Sequence, residues 1–321
     1  PNRVGSFSLI KRLNIDNGRT RQIARAPMRS SDMITDGNGV ARIAVGVDQN
    51  NDNEMVMMYR QNERSEWQTL RRYGQRDGNF IPLGFMADNI LIVGLSDTQT
   101  DTKAISIFNP QTNEEEILAH HPNVDVDPIF SFRNCLIYEV IGASYDYDIY
   151  NEVFFADIQS KEFSAHLQGL RAVFPGRRIG ITSGTRDNSL AILSVRSANH
   201  PVEFYIYDLK NKQLSYLLNA SPWLKAEQLA QTQAIFYKSR DGLDIHAILT
   251  LPNNKEAKNL PLIMLPHGGP HGPRDYLDYD SDAKVLAQHG YAVLQPNFRG
   301  SGGFGRSFLQ AGYLNWGTTM I

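Results

Sequence analysis

The sequence predicts a β-propeller-type array over residues 1–220, a linker helix at 221–232, and a layered α/β segment over 233–321. Three observations predict it. Short alternating apolar runs fill the first 220 residues with no amphipathic helix between them. A strand–turn–strand unit recurs there at a near-constant step. Beyond residue 233, strands and a helix alternate around a glycine-rich turn.

The strand candidates in order are 41–47, 54–59, 90–95, 104–108, 136–141, 153–156, 189–195 and 203–207. The repeat is carried by the segments 14–23, 59–67, 108–117, 156–163 and 207–214, in each of which a strand meets a polar turn and a second strand follows. Asp16, Gln61, Asn109, Asp157 and Asp208 then fall at steps of 45, 48, 48 and 51 residues. A β-rich period of this size matches one four-stranded propeller blade, so about five blades are expected. A ring cut short would expose strand edges. The chain, which begins at Pro1, is therefore expected to start inside a larger array; a complete five-bladed ring is the alternative.

Ser221 followed by Pro222 reads as an N-cap and first helical residue, predicting a short linker helix. Two strands at about 234–239 and 244–251 should form a hairpin across Asp241-Gly242. The apolar run Leu262–Leu265 reads as a buried strand, 280–288 as a helix stopped by Gly290, and 291–294 as a second buried strand. Parallel strands are expected in this layer.

With 41% apolar and 21% charged residues the composition is that of an ordinary soluble protein of either cytoplasm or periplasm, and 321 residues favour two domains. A net charge of −2 gives no reason to expect nucleic acid or an anionic membrane as partner. No apolar run approaches the ~20 residues of a membrane span. The single cysteine, Cys135, excludes an internal disulfide and reads as a buried, inert thiol.

Three motifs carry chemistry or its support: Ser239-Arg-Asp-Gly-Leu-Asp-Ile-His-Ala-Ile-Leu-Thr-Leu-Pro252, Leu265-Pro-His-Gly-Gly-Pro270, and Gly290-Tyr-Ala-Val-Leu-Gln-Pro-Asn-Phe-Arg-Gly-Ser-Gly-Gly-Phe-Gly305. Together, in this order, they resemble the opening of the catalytic α/β-hydrolase domain of the prolyl oligopeptidase family of serine peptidases, in its acylaminoacyl-peptidase-like branch. That resemblance implies a seven- or eight-bladed propeller, hence further blades upstream. It also implies that the backbone N–H of Gly269 is one donor of an oxyanion hole, with His267, Gly268 and Pro270 as its supporting loop. His267 does not match the family's late catalytic histidine and is expected to brace the loop.

Other readings of these residues are weaker. His267 and His271 are four apart, but Gly268, Gly269 and Pro270 forbid the helix that would turn them into metal ligands, so no metal is expected. Gly300-Ser-Gly-Gly-Phe-Gly305 satisfies a dinucleotide-binding pattern, yet no Asp or Glu follows Asp282 to hold a ribose, so no cofactor is expected. The loop instead resembles the family's Asn-Tyr-Arg-Gly-Ser loop, with Phe298 in the tyrosine position. His120-His121 reads as a solvated loop.

No Gly-x-Ser-x-Gly occurs in the 321 residues; segments 142–146, 299–303 and 305–309 each miss one glycine. The resemblance places the Ser/Asp/His triad beyond Ile321. These residues are thus expected to be an inactive part of a peptidase for short peptides, acting through an acyl-enzyme, with the propeller restricting access. Its partners would be a short peptide and the rest of its own polypeptide. The alternative from another class is a non-catalytic propeller binding module; a carboxylesterase is a third reading, disfavoured by the propeller period.

Overall fold

The computed structural model describes residues 7–48, 51, 53–133, 136–156, 158–253 and 255–320. Cα packing divides the chain into two compact units, 1–120 and 121–321. Cys135 and Asp157 lie outside the described residues.

The first unit is all β. Strands β1 (Phe7–Leu13) and β2 (Thr20–Arg29) form an antiparallel pair. Strands β3 (Ser31–Thr35), β4 (Ala41–Asp48), β5 (Glu54–Tyr59) and β6 (Gln68–Tyr73) form a four-stranded meander. So do β7 (Phe80–Phe85), β8 (Ile92–Ser96), β9 (Ala104–Phe108) and β10 (Glu115–Ala119). The inner strands bury both faces, which is why they read as near-continuous apolar runs. Ile43, Met57, Phe80, Ile92 and Phe108 are fully buried in one cluster.

The sequence period has a local cause. Asn14, Asn62 and Asn109 each open a hairpin turn and accept a backbone N–H two residues on, at 2.9 Å in each case. Such Asx turns stop one strand and start the next.

The second unit begins with a three-stranded sheet, β11 (Asp127–Arg133), β12 (Leu136–Asp146) and β13 (Tyr150–Phe154). Where the repeat predicted a fourth strand at 156–163, and where no helix was expected, the chain forms α1 (Lys161–Val173). Phe163, Leu167, Leu170 and Phe174 recur at helical spacing and pack into the core with Ile141, Leu193 and Val195. The buried Glu139 carboxylate accepts the Gln159 and Ser160 amides, both at 2.9 Å, where the helix begins. That acceptor lies 20 residues upstream, so the local pattern alone read as another hairpin. Strands β14 (Arg178–Gly184), β15 (Leu190–Ser197), β16 (His200–Asp208) and β17 (Gln213–Asn219) form a regular meander; Asp208 opens its last turn by accepting Asn211 N–H at 2.8 Å.

The linker helix expected after Ser221 is reduced to one 3-10 turn, Ala226–Gln228. Ser221 N–H is taken by Asn219 Oδ1 at 2.7 Å, and Trp223 stays exposed. Next comes a four-stranded sheet of β18 (Gln231–Lys238), β19 (Asp244–Leu251), β20 (Leu262–Met264) and β21 (Ala292–Asn297), with spatial order β18-β19-β21-β20. It is mixed rather than parallel: β19 runs antiparallel to both β18 and β21, and only β20 and β21 are parallel. Helix α2 (Ser281–Gln288) is capped by Asp280, whose side chain accepts Ala283 N–H at 2.8 Å. It lies over the sheet through Ala283, Ala287 and Val293. The strand read as buried at 262–265 is an edge strand, with Leu262 and Met264 half exposed. Among the described residues no helix is long and apolar enough to cross a membrane.

Candidate functional site

The predicted loop leaves β20 through Leu265, whose N–H bonds Leu294 O at 2.8 Å and so continues the parallel pairing to the brink of the turn. His267 is half-buried, whereas Gly268, Gly269 and Pro270 are exposed. Gly269 N–H makes no hydrogen bond to the described residues, and the Gly269–Pro270 peptide is cis. His267 stacks on Phe298, with ring centroids 4.5 Å apart and planes at 20°. Its Nδ1 lies 2.7 Å from Gly268 O and its Nε2 2.9 Å from Ser301 Oγ. A carbonyl only accepts, so Nδ1 carries the proton, and in that tautomer of the neutral ring Nε2 accepts from the Ser301 hydroxyl.

The neighbouring wall is the segment after β21. Phe298–Ser301 forms a turn closed by Ser301 N–H to Phe298 O at 2.9 Å, with Gly300 at φ +93°. A side chain at Gly300 would also meet Pro270 O at 3.0 Å. Gly302 N–H reaches Gly272 O at 3.2 Å, and Gly272 N–H reaches Gly300 O at 3.1 Å. The glycines of the 300–305 motif thus let two backbones touch. Arg299 forms a salt bridge with Asp241 in the β18–β19 turn. His271, the other histidine of the pair, accepts Trp316 Nε1–H at its Nε2, 2.9 Å away. Helix α3 (Arg306–Gln310) follows the glycines.

Sequence reasoning passed over the network behind this loop. Asn297, fully buried, takes Asp275 N–H on its Oδ1 at 2.7 Å, and its Nδ2 donates to His246 Nδ1 at 2.9 Å and to Asp275 O at 3.0 Å. His246 Nε2 donates to Tyr147 O at 2.8 Å, which fixes its neutral tautomer. Both residues lay inside quoted motifs, but their partners are distant in sequence. Arg274 donates to Asp146 O at 3.0 Å and lies over Phe304 at 4.4 Å; Asp146 in turn accepts from Arg178 at 2.9 Å and from Leu277 N–H at 3.1 Å. Burial holds the carboxyls of Asp146 and Asp275 above the usual range. The two histidines expected in a solvated loop both have partners: exposed His120 sits 2.8 Å from Thr102 Oγ1, and half-buried His121 packs on Tyr145 with centroids at 4.5 Å.

Burial lowers His246 from 6.5 to about 4. As pH falls, the unfolded chain takes this proton first, so stability present above pH 6.5 is lost down to about 4. At 1.36 kcal/mol per unit this amounts to about 3 kcal/mol. His166 and His200 are shifted the same way by burial, while the raised carboxyls of Asp127, Asp146 and Asp275 oppose the loss at its acid end. Melting temperature should fall from pH 7 to pH 5, and His246→Gln should show a shallower fall. An unchanged slope in that variant would assign the acid loss elsewhere.

Residues 277–321 match the Prolyl oligopeptidase family. Over that C-terminal stretch the sequence is similar to that family. Dipeptidyl aminopeptidase BIII of Pseudoxanthomonas mexicana is 36% identical over 163 residues, covering 49% of this chain and 23% of that protein. The acylamino-acid-releasing enzyme of Sus scrofa is 41% identical over 71 residues, covering 21% of this chain and 9% of that protein. A solved prolyl endopeptidase structure superposes with a TM-score of 0.62 at 13% identity, over 99% of this chain and 48% of that chain. That likeness carries the fold: propeller-type sheets followed by a hydrolase-type sheet. The chain spans about a quarter of the first curated relative and about half of the solved chain. A dipeptidyl aminopeptidase and an acylamino-acid-releasing enzyme are thus both similar to parts of this sequence.

Proposed function

We propose that this chain is part of a serine peptidase that hydrolyses short peptides through an acyl-enzyme. In this reading residues 1–220 belong to a propeller that restricts access and 233–321 open the hydrolase domain. The observation that carries it is Gly269: an exposed residue whose N–H has no partner among the described residues, shortly after the strand β20, in a loop whose backbone is fixed from behind. A carbonyl oxygen gaining charge under serine attack would accept that N–H. One such donor typically contributes about 2.7–4 kcal/mol to the transition state. The second donor, the nucleophile, its general-base histidine and the orienting aspartate would come from sequence following Ile321. His267 takes no proton in this scheme, because its Nε2 is already occupied by Ser301.

The test uses the full-length polypeptide carrying this segment. Hydrolysis of dipeptidyl or acyl-aminoacyl chromogenic substrates is expected, together with covalent labelling by a serine-directed fluorophosphonate. Folded protein with neither would leave the non-catalytic binding module as the better reading.

A further inference from the structure

A trans peptide holds the carbonyl of one residue and the N–H of the next in a single plane, pointing in opposite directions. The Gly268–Gly269 peptide is of this kind; the cis bond is the next one along. Whatever holds Gly268 O therefore also sets the direction of Gly269 N–H. Gly268 O is held by His267 Nδ1–H at 2.7 Å. The imidazole can serve only if its own rotation is fixed, and two contacts fix it. Phe298 lies flat against one face, and the Ser301 hydroxyl donates to Nε2 at 2.9 Å. Phe298 also meets the position a Gly269 side chain would take, its Cζ 3.4 Å from a Cβ there.

Ser301 and His267 look at first like a nucleophile and its base. Ser301, however, has no exposed surface, so no substrate carbonyl reaches its oxygen. Its hydroxyl faces inward, and the exposed product of the relay lies at the other end, at Gly269.

We propose that Ser301 is a positioning residue, the first member of a hydrogen-bond relay running Ser301 hydroxyl, His267 imidazole, Gly268 carbonyl, which aims the Gly269 N–H. This rests on the reading of Gly269 as an oxyanion donor. The relay requires a neutral His267 with its proton on Nδ1, and it uses Ser301 for its single donated hydrogen. Loss of that hydrogen frees the ring to turn, and the peptide plane with it.

The experiment has two readouts on the full-length protein, with melting temperature recorded to confirm folding. Carbethoxylation of individual histidines by diethyl pyrocarbonate, followed by mass spectrometry, reports the freedom of His267 without reference to activity. In Ser301→Ala the rate at His267 should rise several-fold while the other histidines stay unchanged. Peptide hydrolysis should lose about tenfold in kcat, the worth of one modest hydrogen bond, with KM little altered. Because Ser301 acts through His267, adding Ser301→Ala to His267→Ala should cost nothing further. Ser301→Cys, a weaker donor of similar size, should fall between wild type and alanine and serves if the alanine variant does not fold. An unchanged His267 rate in folded variants overturns the relay. A freed His267 with unaltered kcat overturns its aiming role and returns the fault to the assignment of Gly269 as an oxyanion donor, leaving the Ser301–His267 bond intact.

Discussion

Alanine at position 302 is expected to push the two glycine-rich segments apart and to lower both stability and activity. A Cβ built on Gly302 would lie 2.2 Å from Gly272 O and 3.1 Å from Gly272 C. The obstacle is backbone, not the tip of a flexible side chain, so one segment must move. Overpacking of this kind typically costs about 1–3 kcal/mol. Movement of the 267–272 loop would also misplace Gly269, and a displacement of about 1 Å can cost on the order of a hundredfold in rate. Thermal unfolding and kcat of Gly302→Ala check both parts. The control is Gly169→Ala, on the exposed face of α1, where a Cβ meets nothing within 4 Å. It should gain up to about 1 kcal/mol from helix propensity alone. A Gly302→Ala protein as stable as its parent would show that the two segments are not held by backbone contact.

The second large effect is expected at Lys284. This side chain is 2% exposed, and its ammonium donates to Ala230 O at 2.6 Å, Thr232 Oγ1 at 2.8 Å and Asn199 Oδ1 at 3.0 Å. Burial lowers it from 10.5 to about 8. Among these contacts no carboxylate shares the charge; three oxygens from the β15–β16 turn and the entry to β18 do instead. Lys284→Ala removes the stem's packing and strands buried acceptors, so about 3 kcal/mol should be lost. Lys284→Met keeps the volume and removes the buried charge, so it should lose less than alanine. Urea unfolding midpoints of the two variants decide the matter. Equal and small losses would mean that the ammonium is not holding α2 to these strands.

The hydrolase-type motifs were legible because their chemistry is local. Gly-Gly-Pro after an apolar run, Asp-Gly between β runs and Asp280 ahead of Ala283 each act within a few residues; they appear in the structure as a bend, a turn and a cap respectively. The blade period was legible for the same reason: of the positions that set its step, Asn109 and Asp208 themselves open turns, and beside Asp16 and Gln61 the neighbouring Asn14 and Asn62 do. Helix α1 was missed although Phe163, Leu167 and Leu170 keep helical spacing, because the preceding repeats biased the segment towards a hairpin. The edge position of β20 was missed because an apolar run does not reveal what covers it. Nothing local singles out Lys284 in α2, because its acceptors come from 52 to 85 residues away. Ser301 was likewise recognised only as a member of a glycine-rich loop. Its worth depends on His267, 34 residues earlier.

The measurement that bears most directly on the central claim is a crystal structure of the full-length polypeptide treated with a peptide aldehyde. The hemiacetal oxygen should lie about 2.7–3.1 Å from Gly269 N, the spacing of a working oxyanion donor. An adduct whose oxygen is held elsewhere, with Gly269 N–H turned to a partner inside the protein, would contradict it.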